Sequence, residues 1–263
     1  MSNVACNQPS ASLRPSARPR ISMIAGWTLR EYDQVASTNL SAAKLAAWDA
    51  VRADTQTAGR GRFRREWISD AGGLWLSAVV PVKSNSPGER ALPLAVGLAV
   101  CDALRALGVA PLRMRWPNDV LVGNRKLAGL LIDRFTPELA VAGIGVNVRN
   151  EPEAQADSLK NQTTRLLDQV VHPPTLRDLK ALILRGLRQV VEEIESGNFS
   201  GLLPRINQLW DHPRHVELDL DGEIRSGIFT GVDEGGRLIL SEASGVANFF
   251  EPWQVRHLKE MTD

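Results

Sequence analysis

The chain has 263 residues, 43% of them hydrophobic and 23% charged, enough to bury a sizeable core in one or two domains. Its 31 basic and 30 acidic side chains leave a formal net charge of +1, which excludes a molecule built as a global electrostatic platform for nucleic acid or an anionic membrane. No stretch of about 18 uncharged apolar residues predicts a membrane span, and Cys6 and Cys101 form neither a disulfide framework nor a metal motif, so a reducing cytoplasm is the expected compartment.

In chain order, residues 1–27 read as a flexible leader, rich in Ser, Pro, Ala and Arg without one acidic side chain. The same composition admits an organelle transit segment. Residues 28–35, "TLREYDQV", predict a strand, and Ser37, Thr38 and Asn39 then give an N-cap signal before the Ala-rich run "LSAAKLAAW", expected to be helical. Residues 50–57 predict a strand that enters a Gly/Arg loop over 58–73, and "LWLSAVVP" at 74–81 leaves it as a buried strand. Residues 91–108 are apolar nearly all round, as a core helix would be. "LRMRW" rises into the turn Pro117-Asn118-Asp119, and "VLVG", "KLAGLLIDRF" and "LAVAGIGVNV" predict further strands.

Residues 175–197 predict the clearest helix, with Leu176, Leu179, Leu182, Ile183, Leu187, Val190 and Ile194 on one face. Thr175 and Asp178 resemble a capping box, and Gly197 terminates it. From His215 onward polar and apolar residues alternate about Asp221-Gly222, a hairpin signal, and the remaining length suits a small β-barrel. The expected architecture is therefore α+β: a flexible leader over 1–27, a mixed sheet backed by helices over 28–212, and a small β domain over 213–263.

Four patches carry candidate chemistry. In "QTAGRGRFRREW" at 56–67, Gly59 and Gly61 flank Arg60 and let backbone amides approach a ligand, while Arg62, Arg64 and Arg65 add planar guanidinium forks suited to phosphate or carboxylate. It is not a Walker A loop, and Trp67 adds a flat surface able to stack a base. A solvated basic loop or an RNA-binding segment fits this stretch equally well when it is read alone. In "RWPNDVLVGNRKLAG" at 115–129, Asn118 and Asp119 are ordinary turn residues, but Lys126 sits on a strand where it must pair with a carboxylate or serve a ligand. Gly129 lets a ligand lie against bare backbone. "GIGVN" at 143–147 is weak alone. Ser37-Thr38-Asn39 completes the set. The four histidines are scattered without metal-ligand spacing, and no G-x-S-x-G elbow supports a hydrolase.

In this order the four patches resemble the biotin protein ligase family, biotin–[acetyl-CoA-carboxylase] ligases, over about residues 28 to 258. The resemblance implies a class II synthetase-like catalytic domain, a C-terminal SH3-like β-barrel, and two steps. Biotin and MgATP give biotinyl-5′-AMP and pyrophosphate, and the biotinyl group then passes to one lysine of a biotin carboxyl carrier protein. It implies that Ser37, Thr38, Asn39 and Gln56 hold the biotin rings, with Gly59 and Arg60 against the ligand and Gly129 and Leu130 lining the pocket. Arg62 and Lys126 would be catalytic, neutralising the biotin carboxylate and the phosphates. Arg62, Arg65, Trp67, Arg115, Asn118, Asp119 and Asn147 would serve ATP, with Trp67 on adenine. Asp119 would either bind Mg²⁺ or orient Lys126.

Two departures stand out: many members have glycine where this chain has Arg64, leaving Arg64 and Arg65 both open as the phosphate ligand, and lysine where it has Arg115. With about 27 residues ahead of the catalytic domain, no helix-turn-helix domain and no DNA binding are expected. A homodimer is compatible with the resemblance. A lipoate–protein ligase or lipoyl transferase of the same fold is the alternative enzyme, and an RNA-binding module or a silent ligand sensor the non-enzymatic one.

Overall fold

The structure is a computed structural model that describes residues 18–83, 87–155 and 162–261; Cys6 and most of the expected leader lie outside them. The first sheet has eight strands: β1 (Arg20–Ile24), β2 (Trp27–Val35), β3 (Asp49–Gln56), β4 (Leu74–Pro81), β5 (Leu112–Arg115), β6 (Asp119–Val122), β7 (Arg125–Arg134) and β8 (Leu139–Val146). Their spatial order is β1-β2-β3-β4-β8-β7-β6-β5. Only β2 and β3 run parallel, joined by the short helix α1 (Thr38–Ala42), so the sheet is mixed as expected. Helices α2 (Pro87–Ala106), α3 (Pro152–Gln155), α4 (Leu176–Glu195) and α5 (Phe199–Asn207) follow. The second sheet holds β9 (Arg214–Leu220), β10 (Glu223–Val232), β11 (Leu238–Ser241), β12 (Ala247–Phe250) and β13 (His257–Glu260), all antiparallel.

Strand periodicity divides the first sheet into two faces. Leu74, Leu76, Ala78 and Val80 of β4 and Ala140, Ala142, Ile144 and Val146 of β8 join the main core under α2 and α4. The intervening Val79 and Val141, with Val51 and Ala42, form a smaller cluster under α1. Further along that second face lie Trp75, Ser77, Gly143 and Gly145, where Trp75 pairs with Gly145 and Ser77 with Gly143. The same row continues into β7, where Gly129 pairs with Gly145. The face of the sheet opposite α2 and α4 therefore carries a row of glycines beside α1.

Four expectations need correction. The leader does not extend to residue 27. Ala25 and Gly26, at φ 49° and 81°, make a tight left-handed turn that pairs β1 with β2 as a hairpin. Trp27 is wholly buried, edge-on to Trp48 with centroids 5.1 Å apart and its indole N–H donated to the Leu184 carbonyl at 2.9 Å. The Ala-rich run is helical only over α1, because the chain must turn back within a dozen residues to run parallel to β2. Trp48 there donates its N–H to Val79 and takes φ 69°. The predicted capping box at α4 is half formed: the Thr175 hydroxyl oxygen accepts from the Asp178 N–H at 3.1 Å, but the Asp178 carboxylate accepts from the Thr175 hydroxyl instead of its backbone. The C-terminal strands form an open sheet of order β12-β11-β10-β9-β13, with no pairing between β12 and β13 to close a barrel. The Asp221-Gly222 hairpin and the Gly197 stop are as expected, both glycines having positive φ.

The two sheets are tied by an almost fully enclosed ion pair. Arg113 on β5 donates from both terminal nitrogens to the two carboxylate oxygens of Glu260 on β13, each at 2.7 Å, and its remaining donors reach the Gly123 carbonyl at 3.1 Å and the Asn124 amide oxygen at 3.1 Å. A guanidinium so saturated tolerates burial, whereas removing it strands a mostly buried carboxylate. Arg113→Ala should cost about 3 kcal/mol in urea denaturation. A loss below about 1 kcal/mol would show that other contacts hold the second sheet in place.

Candidate active site

The cleft, of about 320 Å³, opens on the face of the first sheet opposite α2 and α4 and is walled by α1, the Gly/Arg loop, the β5–β6 turn, residues 162 and 163, and residues 255–258. That volume lies in the range of small-molecule sites. Its floor follows from the glycine row. A Cβ on Gly145 would meet the Trp67 indole at 2.6 Å, and one on Gly129 would meet the same ring at 2.7 Å. A Cβ on Gly143 would meet the Asn39 amide oxygen at 2.3 Å. The glycines of "GIG" therefore leave bare backbone on which Trp67 and Asn39 lie flat. Trp67 is further fixed edge-on to Trp75, with centroids 6.4 Å apart, and its buried indole N–H finds no acceptor among the described residues.

One end of the cleft is a chain of neutral polar groups. Ser37 caps α1, its hydroxyl accepting from the Leu40 N–H at 3.5 Å. The Gln56 amide oxygen accepts from the Thr38 N–H at 2.7 Å and from its hydroxyl at 3.0 Å, and the Gln56 amide nitrogen donates to Ser69 at 2.8 Å. The Ser77 hydroxyl lies 2.7 Å from that of Thr38 and 2.6 Å from the Asn39 amide oxygen. Asn39 donates to Asp133 at 2.7 Å, so both ends of its amide are engaged within the protein.

The opposite wall is cationic. Arg60, Arg62, Arg65, Arg115, Lys126 and Arg256 line the cleft against two carboxylates, Asp119 and Glu66. Asp119 is the hub: Lys126 reaches its Oδ1 at 2.6 Å and Arg115 its Oδ2 at 2.7 Å. Burial opposes the charged carboxylate, but the two cations outweigh it and hold Asp119 below the usual carboxylate range. Lys126 also lies 4.8 Å from the Trp67 ring centroid, a cation–π distance. Arg62 donates to the carbonyls of Pro252 and of Val255, the latter at 3.0 Å, and stacks on Phe63 with 4.8 Å to the ring centroid. Burial pushes Arg62 down to about 10, with Asp119 opposing and Arg65 adding to the shift, so it stays charged at neutral pH. His257 is lowered by burial, then by Arg65 and Arg115, with Asp219 and Asp119 opposing.

Asp119 is the one expected metal ligand, and its environment does not fit that role. Both of its oxygens are taken by cations, and among the described residues no group of three His, Cys, Asp or Glu could hold an ion. The expectation that it orients Lys126 matches the geometry.

The sequence-predicted residues converge with one exception. Ser37, Thr38, Asn39 and Gln56 line the polar end, Arg60, Arg62, Arg65, Arg115, Asp119 and Lys126 the cationic wall, and Trp67, Asn118, Gly129, Leu130 and Asn147 the space between. Gly59 was expected against the ligand, but it lies under the loop instead. A Cβ there would meet the Trp67 carbonyl at 2.4 Å, and the Gly59 carbonyl accepts the Trp67 N–H at 3.0 Å. Asn118 donates to the Leu130 carbonyl at 2.9 Å, and Asn147 accepts from Asn150 at 3.1 Å. Missed were Trp75, residues 162 and 163, and residues 255–258. The 162–164 segment arrives by pairing with Lys126, whose N–H donates to Gln162 at 2.8 Å and whose carbonyl accepts from Thr164 at 3.0 Å. No local pattern announces such a long-range return.

The profile of the biotin/lipoate A/B protein ligase family matches residues 28–149. A biotin–[acetyl-CoA-carboxylase] ligase of Mycobacterium tuberculosis is 33% identical over 232 residues, which are 82% of this chain and 84% of that protein. One from Paracoccus denitrificans is 32% identical over 80% of this chain and 92% of its own length. The bifunctional ligase/repressor BirA of Escherichia coli is 31% identical over 80% of this chain, which spans only 65% of that protein. A solved structure of biotin protein ligase from Aquifex aeolicus with biotin and ATP superposes with a TM-score of 0.78 at 25% identity, over 89% of this chain and 99% of that one.

Asp119→Asn should cost about 1 to 3 kcal/mol at neutral pH, because Lys126 and Arg115 lose their shared counter-ion. A carboxyl held below its unfolded value stabilises fully above about pH 4 and stops doing so as pH falls through its folded value. The stability gap between wild type and variant should therefore be flat from about pH 5 to 8 and shrink below about pH 4. A gap unchanged down to about pH 2 in urea titrations would rule out Asp119 as the paired anion.

Proposed function

This chain belongs to the biotin protein ligase family, and from that premise we propose that it is an ATP-dependent biotin–protein ligase. It activates biotin to biotinyl-5′-AMP and transfers the biotinyl group to a lysine of a biotin carboxyl carrier protein. The observation that carries this reading is the polarity of the cleft: a neutral hydrogen-bonding end and a cationic wall, joined by a floor on which Trp67 lies over the glycine strip.

The neutral end suits the ureido ring of biotin, which offers two N–H donors and one carbonyl acceptor to Ser37, Thr38 and Gln56. The dithiolane of lipoate has no hydrogen-bonding groups and would leave those polar groups without exchange partners on losing water. That, with relatives that are biotin ligases, favours biotin over the lipoate alternative. The valeryl chain then runs along the pocket beside Leu130 and delivers its carboxylate to the cationic wall, with the Trp67 ring left to pack on adenine. There a carboxylate oxygen attacks the α-phosphorus of ATP and pyrophosphate leaves. Two anions must be brought together, so the enzyme positions them and neutralises charge, and no protein nucleophile is needed. Lys126, aimed by Asp119, faces the carboxylate and the phosphates, and Arg62 the acyl phosphate. Arg65, Arg115, Asn118 and Asn147 border the nucleotide. As part of the MgATP substrate, Mg²⁺ would supply further neutralisation of phosphate charge.

In the second step the lysine amine, having lost a proton to solvent, attacks the acyl carbon. The bond to the AMP phosphate breaks, and the nitrogen loses its second proton as the amide forms. The catalytic unit is assigned to the first sheet with its helices, here beginning at Arg20, and the segment from about residue 213 forms the C-terminal unit. The cytoplasm remains the proposed site of action; among the described residues no helix is long and apolar enough to cross a membrane.

Purified protein should catalyse biotin-dependent ATP–pyrophosphate exchange, and either no exchange or preference for lipoate would falsify the assignment. Lys126→Ala should slow exchange at least tenfold, about 1.4 kcal/mol of transition-state stabilisation. Arg62→Ala should form adenylate poorly or release it, read as free biotinyl-AMP in a filtration assay; retention equal to wild type would remove Arg62 from the site.

A further inference from the structure

The turn that carries the loop arginines contains a residue that neither the fold nor the cleft uses. Phe63 and Arg64 both adopt left-handed backbone, at φ 54° and 60°. That conformation costs a side-chain-bearing residue roughly 1 to 2 kcal/mol and costs glycine almost nothing. From residue 60 to residue 68 every side chain or backbone lines the cleft except Arg64. Arg64 is exposed and makes no ion pair, hydrogen bond or ring contact among the described residues. Its neighbours are committed: Arg62 to the Pro252 and Val255 carbonyls, and Arg65 toward the Arg256 carbonyl at 3.5 Å. Among the described residues no side-chain contact offsets the strain at Arg64, which is exposed and stands outside the lining of the cleft.

We propose that Arg64 is an acceptor-recognition residue, binding a carboxylate on the face of the carrier protein beside the lysine to be modified. The inference rests on the ligase function above. The activated acyl group forms inside the cleft, so the partner's lysine must reach in from the rim, and the partner's surface must cover the turn at 62–65. An unpaired planar fork there recognises a carboxylate bidentately. The half-exposed Phe63 ring, flanked by Arg62 and by Arg256 at 5.7 Å, gives the same rim an apolar contact next to the charge. Of the two candidates left open by the sequence, Arg65 lines the cleft and takes the nucleotide side, which leaves Arg64 to the protein partner.

The test separates the two half-reactions with Arg64→Gly, which relieves the backbone strain and so keeps the fold, and Arg64→Lys, which keeps the charge. Biotin-dependent ATP–pyrophosphate exchange, and transfer from bound adenylate to hydroxylamine, should stay within about twofold of wild type in both variants. With an unmodified biotin carboxyl carrier domain as acceptor, Arg64→Gly should raise KM about tenfold with kcat little changed, and Arg64→Lys should recover much of that loss. The difference should fade as NaCl rises from about 0.05 to 0.3 M, because the contact is exposed. A fall in exchange with acceptor KM unchanged overturns the proposal and makes Arg64 a phosphate ligand. Unchanged exchange with unchanged acceptor KM also overturns it. No exchange in the wild type removes the ligase function itself and this inference with it, an outcome distinct from the other two.

Discussion

The bare strip of sheet at Gly129, Gly143 and Gly145 is the constraint on which the rest of the site depends. A methyl group at any of the three would sit 2.7 Å or less from the side chain now covering it. Trp67 could not lie down, and the loop that ends in it could not fold back over the sheet. Asn39 could not settle beside Ser77, and the polar chain that runs on through Thr38 to Gln56 would lose its support. Side-chain alternation places the glycines on the face without α2 and α4, so the same pattern that builds the core on one side clears the cleft on the other.

The second organising element is the placement of the smaller sheet. Arg113 and Glu260 fix its last strand to β5, and that strand carries His257 and Leu258 to the cleft. The short turn before it offers two carbonyls to Arg62. A loop arginine is thereby held by backbone nearly two hundred residues away in sequence, and the cleft is completed by both halves of the chain.

Much of this was legible in the sequence because it depends on local pattern. β4 was bounded to the residue, and β7, β8 and α4 within one or two, by continuous apolar runs or 3.6-residue periodicity. The site residues were legible as types: a lysine on a strand needing an anion, arginines beside glycines, a GxG pair. What escaped is non-local. β1 shows as an edge strand only once Trp27 is seen to be core. The Ala-rich run after Ser37 has helical propensity along its length, but the return to β3 stops it after five residues. That Gly59 serves loop closure and Gly145 the Trp67 ring is a matter of which atoms face each, which composition cannot tell.

The triad of Arg115, Asp119 and Lys126 has a consequence for what the site ignores. Arg115 and Lys126 share one internal carboxylate that is clamped from both sides, so the two cations keep a net charge of +1 between them. A stray inorganic anion entering the cleft competes with that carboxylate for each contact and gains little net attraction. Only a molecule presenting several negative groups at once can engage the other arginines as well and outweigh the incumbent. The internal anion thus acts as a threshold, screening out the single charges that abound in solution.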